Sequence, residues 1–142
     1  MSVILRRITR RTGKGEGGQS LVEFTLVLPI FLLVLFAIMD FGMAFNAWIA
    51  VTNSAREGAR LGSVRAPSGD IEQRVRDTAG SLGDDLTVTV TNAEGDPGDS
   101  VVVDVSYAYS LITPLADIMG MISGGSIGDT FNLSSTADMR LE

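Results

Sequence analysis

The sequence predicts an α+β protein in which one long N-terminal helix spans a membrane and then continues as the spine of a small domain. Three observations predict this fold. Sixteen residues without a charge run from Phe24 to Met39, a 3–4-residue apolar spacing follows them, and three segments near the C-terminus alternate apolar and polar residues. A chain of 142 residues is long enough for an anchor and one domain.

Charge is divided sharply along the chain. Residues 1–18 hold five basic side chains and one acidic one, whereas residues 19–142 hold six basic and 16 acidic side chains. Basic residues before a membrane helix stay in the cytoplasm. We therefore expect an inner-membrane protein with its N-terminus in the cytoplasm and an extracytoplasmic acidic domain. The acidic domain is a poor match for nucleic acid, which binds basic surfaces.

Three regions follow from these patterns. Residues 1–18 form a basic leader whose glycine-rich end, from Gly13 to Gly18, is expected to be extended, because each interior glycine costs a helix about 1 kcal/mol. Residues 19–62 form the long helix, which begins near Ser20, runs to about Leu61 and crosses the membrane over about 21–40. Residues 63–142 form the extracytoplasmic domain.

The long helix changes character along its length. About 42 residues at 1.5 Å each give roughly 60 Å, twice the ~30 Å thickness of the hydrocarbon layer. Pro29 removes one helical hydrogen bond and predicts a kink, and Gly62 is a plausible C-cap. Beyond Met39 the predicted core-facing stripe comprises Phe41, Phe45, Trp48, Thr52, Ala55 and Ala59, and Asp40 falls off it.

The domain sequence predicts a short second helix and a three-stranded antiparallel sheet. Ser68 or Asp70 caps the helix, Gly83 ends it, and its apolar stripe is Ile71, Val75, Ala79 and Leu82. The predicted strands cover about 86–91, 101–110 and 131–142, paired as a meander. The segment Leu111–Ile122 is too short to span a bilayer, and it can pack on the sheet edge, touch the membrane surface or contact a partner.

Glu23 lies one turn into the apolar helix, where a charge costs at least ~2.5 kcal/mol at depth. If the chain is cut after Gly18, Gln19 gains a free amine, and that amine can pair with Glu23 of a neighbouring subunit in a helical bundle. The alternative is an uncut signal anchor whose Glu23 reaches the cytoplasmic headgroups. The residues alone weigh these two readings about evenly.

At this point the sequence resembles TadE-like proteins, the pseudopilins of the tight-adherence (Tad, or Flp) pilus system. The matching features are Gly18, Val22-Glu23-Phe24, Leu28-Pro29, Asp40-Phe41-Gly42 and the run from Asn53 to Arg60. The resemblance covers roughly residues 17–62. It implies a pilin-like fold, cleavage by a membrane aspartic prepilin peptidase between Gly18 and Gln19, and a minor role among other pilins and pseudopilins, because Flp-type major pilins lack a domain like residues 63–142.

The run from Asn53 to Arg60 combines small and charged residues. Ala55 with Ala59, and Gly58 with Gly62, are spaced four apart and allow close backbone approach, as small faces do, so we expect them to be spine packing. Arg56, Glu57 and Arg60 can form ion pairs. A solvated charged edge is the favoured reading for these three, with contacts to a partner as the alternative.

The chain lacks Cys and His, which excludes disulfides, zinc–thiolate sites and His-based catalysis. The acidic loop Glu94–Asp99 offers oxygen ligands, but calcium is a minor alternative there. We predict no catalytic residues, metal, cofactor or small-molecule substrate. The favoured function is a structural pilus component, followed by an uncleaved membrane-anchored envelope protein with an exported binding domain, and then by a membrane-bound hydrolase.

Overall fold

A computed structural model describes residues 16–124 and 130–142. The elements are α1 (Glu16–Gly62), α2 (Ser68–Ala79), a 3₁₀ helix (Gly80–Asp85), β1 (Thr87–Thr91), β2 (Ser100–Ser110), α3 (Leu115–Ser123) and β3 (Thr130–Arg140). The predicted fold class is confirmed. Two compact units, Met1–Leu35 and Phe36–Glu142, divide the chain within α1. Most of the predicted leader, residues 1–15, lies outside the described residues.

Helix α1 begins earlier than the sequence predicted. It starts at Glu16 and includes Gly17 and Gly18, so the extended conformation expected from Gly13 to Gly18 was wrong for its last three residues, and the first three lie outside the described residues. Two glycines cost a helix about 1 kcal/mol each. Extending an existing helix fixes only one residue per added hydrogen bond, and the long apolar helix that follows supplies the nucleus.

The buried face of α1 also differs from the predicted stripe. Phe41, Phe45 and Trp48 are 66%, 59% and 46% exposed, so assigning these three aromatics to the core was wrong, whereas Ala55 and Ala59 are fully buried as predicted. The observed buried face comprises Asp40, Ala47, Val51, Ser54, Ala55, Gly58, Ala59 and Gly62. Periodicity gives the spacing of a stripe, but α1 has apolar residues on two faces, and the face with smaller side chains lies against the sheet.

The sheet has the order β1-β2-β3 with both pairs antiparallel, which confirms the predicted meander. The central strand β2 turns Val101, Val103 and Val105 into the core, where each is at most 1% exposed. A Cβ on Gly62 would lie 2.9 Å from Val101, and one on Gly58 would lie 3.3 Å from Val103. The later residue on α1 thus contacts the earlier residue on β2, so α1 and β2 run antiparallel.

Gly62 therefore serves packing. Its φ angle is not in the left-handed range, and the positive φ after the helix belongs to Arg65, at 61°. The missing side chain lets α1 come within contact distance of Val101. The predicted role of Gly62 as a helix cap was wrong, and Gly62 is buried where α1 meets β2.

Helix α2 covers the same face of the sheet. Ile71, Val75 and Ala79 are buried as predicted, but Pro67 occupies the N-cap position and neither Ser68 nor Asp70 forms a side-chain cap. The α-helix ends at Ala79 instead of Gly83, and the 3₁₀ helix follows. Arg76 Nη1 donates to the carbonyl oxygens of Gly83 and Leu86 at 2.8 and 3.1 Å, which fixes this tighter turn.

We predict that Gly58→Leu destabilises the domain. A Cβ at this position would lie 2.5 Å from Val75 Cγ2 and 3.5 Å from Ile71 Cγ2, and forcing extra methylenes into a packed core typically costs about 1–3 kcal/mol. The measurement is the Tm of the full chain in detergent. Gly42→Ala is the matched control, because a Cβ there meets nothing within 4 Å and Ala is the better helix former. An unchanged Tm for Gly58→Leu would contradict this packing.

Candidate assembly surface

The first part of α1 exposes most of its apolar side chains. From Gly18 onward α1 is long and apolar enough to cross a membrane, and none of its most apolar 18-residue stretch is buried in the protein. It is the one such helix among residues 16–124 and 130–142. Leu21, Phe24 and Ile30 are each at least 60% exposed. A surface of this size on a helix calls for lipid or for other helices around it.

Gln19 and Glu23 lie together at the start of this surface. The Gln19 amide Nε2 donates to Glu23 Oε1 at 3.0 Å, one helical turn along the chain. Gly18 is exposed, and a Cβ there would meet nothing within 4 Å. In the uncut chain, therefore, the Glu23 carboxylate has a hydrogen-bond donor of its own. The expected charge pair with a neighbour's Gln19 amine stays a prediction.

Pro29 lies inside α1, which continues on both sides of it. A proline has no backbone N–H, so the carbonyl four residues earlier, at Thr25, loses its helical donor. Thr25 also donates its own hydroxyl to the carbonyl oxygen of Leu21 at 2.8 Å. The kink at Pro29 stays a prediction.

Asp40, the first residue after the apolar run, is 1% exposed. Its Oδ1 accepts hydrogen bonds from the backbone N–H groups of Ile112 and Thr113 at 3.0 and 3.2 Å. Its Oδ2 accepts the Thr113 hydroxyl at 2.5 Å. Three donors from one loop thus compensate the carboxylate for leaving water. We name this set of bonds the Asp40 latch.

Tyr109 adds a fourth bond at the same place. Its hydroxyl donates to the backbone carbonyl oxygen of Asp40 at 3.2 Å. Burial raises the pKa of Tyr109, and the nearby Asp40 charge raises it further, so the hydroxyl remains a donor at neutral pH. Sequence reasoning missed the latch because it placed Asp40 away from the core. The available signal was a lone carboxylate at the end of a sixteen-residue apolar run.

The charged run of α1 forms one cluster with α2. Glu57 pairs with Arg60 and with Arg74, both at 2.7 Å, and Arg56 is exposed. Arg74 is a partner that the sequence did not reveal, because it lies 17 residues away. The hydrogen bonds from Arg60 and Arg74 lower the pKa of Glu57 from 4.5 to about 2, and the same pair raises the pKa of Arg60. The cluster ties α1 to α2, and a partner contact through Arg56 or Arg60 stays a prediction.

Among the residues that the structure describes, no group of three or more acidic side chains is arranged to hold a metal ion. This includes Glu94, Asp96 and Asp99 in the loop between β1 and β2. The described side chains thus form an exposed apolar surface, hydrogen-bonded carboxylates and a surface cluster of ion pairs.

We predict that the Glu57 cluster loses its effect in acid. Because the pKa of Glu57 is lower in the folded protein than its ordinary 4.5, the cluster stabilises the fold fully above about pH 4.5 and loses this contribution as pH falls toward 2. The Tm difference between the wild type and Glu57→Gln should therefore narrow across that window. Glu94→Gln, in the exposed loop, is the control and should change the Tm little. A difference that stays constant down to pH 2 would contradict the cluster.

The comparisons with known proteins agree with the geometry of α1. The chain matches no curated protein and no solved structure at a significant level. One family model, described as TadE-like protein, matches residues 18–60, which is the exposed apolar helix together with most of the small-residue face. The resemblance found in the sequence is thereby confirmed, and residues 18–60 of this chain are TadE-like.

Proposed function

We propose that this protein is a minor pilin-like (pseudopilin) component of a Tad/Flp type IV pilus assembly system. In this proposal a prepilin peptidase cuts it after Gly18, and it joins other pilins through α1. The observation that carries the proposal is the TadE-like match over residues 18–60, which by itself suggests a Tad pilus-associated component. The exposed apolar surface of the same segment supports the role of α1.

Maturation would begin at the first turn of α1. The bond between Gly18 and Gln19 lies three residues inside the helix, which starts at Glu16. A peptidase needs an extended strand of substrate, so this turn must unwind first. Gly17 and Gly18 make unwinding easy, because glycine gains more backbone entropy than any other residue on leaving a helix. The glycines therefore suit a cut at this position.

Assembly would then follow from the charges at the new N-terminus. The cut turns Gln19 into the first residue, with an amine in the same turn as the Glu23 carboxylate. In a bundle of α1 helices, the amine of one subunit can meet Glu23 of the next, and a missing partner leaves an unpaired charge in a medium of low dielectric constant. The pair would set the axial position of neighbouring subunits.

The orientation in the membrane follows from the charge division. The basic residues before Gln19 would remain in the cytoplasm, and the acidic unit after Asp40 would lie on the extracytoplasmic side. The protein would act by its surfaces, as a structural component without a catalytic role.

One observation favours the uncleaved envelope anchor as a second candidate. The bond from Gln19 Nε2 to Glu23 Oε1 gives the carboxylate a partner within its own chain. Under this alternative Glu23 needs no neighbouring subunit, and residues 1–18 remain attached. The next two experiments separate the candidates.

We predict a mature chain that begins at Gln19, with or without cyclisation to pyroglutamate. N-terminal mass spectrometry of the membrane-associated protein measures this directly. Gly18→Leu should block the cut, because the peptidase is expected to require a small residue before the bond. A chain that retains residues 1–18 in cells with an active prepilin peptidase would refute the maturation step.

We predict that Glu23→Gln and Glu23→Val leave expression, membrane anchoring and cleavage nearly normal but abolish co-purification with pilins. Both changes remove the partner of the amine, and both ease insertion because they remove a charge from the helix. Gln19→Ala is the matched control. It deletes the in-chain hydrogen bond, keeps the free amine and cannot cyclise, so it should still co-assemble. If Glu23→Val co-purifies as well as the wild type, the charge-pair mechanism is wrong and the anchor alternative gains support.

A further inference from the structure

The end of the Phe36–Glu142 unit that holds the Asp40 latch carries apolar surface that the core does not use. Ile112 is 63% exposed, Met121 is 85% exposed and Ile122 is 79% exposed. The first precedes α3 and the other two lie near its C-terminus. Large apolar side chains grouped in this way on one short segment mark a contact surface.

The latch fixes the position of this segment along α1. Asp40 binds the backbone of Ile112 and Thr113 directly, and the same Asp40 ends the apolar run that begins at Phe24. The chain between Ile112 and the start of α3 is therefore held beside the point at which α1 becomes polar. In an anchored protein that point lies at the surface of the bilayer.

We propose that the segment Ile112–Ser123, which includes α3, lies on the extracytoplasmic surface of the bilayer and inserts Ile112, Met121 and Ile122 among the lipids. The inference rests on the membrane anchoring contained in the proposed function. The segment holds one charged residue, Asp117, and no Lys or Arg. The contact is thus apolar in origin and does not depend on anionic headgroups, unlike that of a basic amphipathic helix.

A cleft next to α3 is also suited to contact with lipid. It has a volume of about 340 Å³. Apart from Asp40 and Tyr109 its lining is apolar, and it includes Ala44 on α1, Leu115 on α3 and Leu133 on β3. Phe41, on its rim, is 66% exposed. The part of an acyl chain next to the headgroup is the apolar group that a bilayer would offer at this depth, whereas a water molecule there would find few hydrogen-bond partners.

The opposite end of the unit carries an acidic loop. Strand β2 leads from Ser100 to Ser110, so its two ends are roughly 33 Å apart at 3.3 Å per residue. The far end carries the loop with Glu94, Asp96 and Asp99, all exposed. The acidic loop thus lies away from the latch, whereas the exposed apolar side chains of Ile112, Met121 and Ile122 belong to the segment that the latch holds.

The absence of cysteine in the chain makes single-site labelling straightforward. Met121→Cys carries an environment-sensitive fluorophore in the full chain, reconstituted into zwitterionic vesicles. Nitroxide lipids, labelled either near the headgroup or at the end of the acyl chain, serve as quenchers. Val34→Cys, within the apolar run, reports insertion of α1. Ser68→Cys, exposed at the start of α2, is the control on the far side of the domain.

The expected result is that Met121→Cys loses most of its emission to the headgroup-level nitroxide and less to the chain-end nitroxide. Ser68→Cys should keep its emission with both lipids, and Val34→Cys should lose most to the chain-end nitroxide. Quenching at Val34→Cys without quenching at Met121→Cys overturns the inference and leaves the anchoring intact. An unquenched Val34→Cys overturns both. Protection of Met121→Cys only when pilus proteins are added would mean that α3 binds protein, which also overturns the inference.

Discussion

The close contact between α1 and β2 is the constraint on which the domain depends. Gly58 and Gly62 have no side chains to hold the helix away from Val101 and Val103, and a Cβ at Gly58 would come within 2.5 Å of Val75. At these two positions α1 meets both α2 and the sheet. The glycines of α1 therefore allow all three elements to pack against one another in the core. Interiors packed this tightly do not absorb an added methylene without displacement. The four-residue spacing of Gly58 and Gly62 is thus a packing requirement.

The Asp40 latch provides the complementary contact at the other end of the part of α1 that packs on the sheet. The small residues hold the helix against β2 near Val101, and Asp40 holds it against the end of the same strand through Tyr109, Ile112 and Thr113. Two attachments of different chemistry, one by dispersion contacts and one by charge-assisted hydrogen bonds, fix both the direction and the register of the helix on the sheet. Removing the donors of the latch would leave a buried carboxylate without compensation, which is costly.

The fold could be predicted from the sequence wherever a residue pattern was compatible with one arrangement only. Each strand alternates, with Val102 and Ala108 of β2 as exceptions, and the turn residues between β1 and β2 leave a hairpin as the simplest connection, so the meander was predictable. The face of α1 was not, because Phe41, Phe45 and Trp48 repeat with the same period as Ala47, Val51 and Ala55. Hydrophobicity alone favours burying the aromatic stripe. Close packing of a helix on a sheet favours the stripe of small side chains, and the structure buries that one. Contacts between residues distant in sequence, such as Glu57 with Arg74 and Asp40 with Thr113, leave no local pattern at all.

Glu23 and Asp40 bracket the apolar run, and their surroundings explain why they would serve different purposes. Asp40 accepts three hydrogen bonds from a loop of its own domain, so its charge is compensated inside the folded chain and it has little to offer a second subunit. Glu23 accepts a bond from the exposed side chain of Gln19, and a carboxylate can accept several. An exchange of that amide for a neighbour's ammonium group would strengthen the interaction, because a bond between two charged groups is stronger than one between a charged and a neutral group. Asp40 thus stabilises the fold, because its donors are already in place within the domain. Glu23 would instead serve assembly, because its strongest donor would arrive with the next subunit.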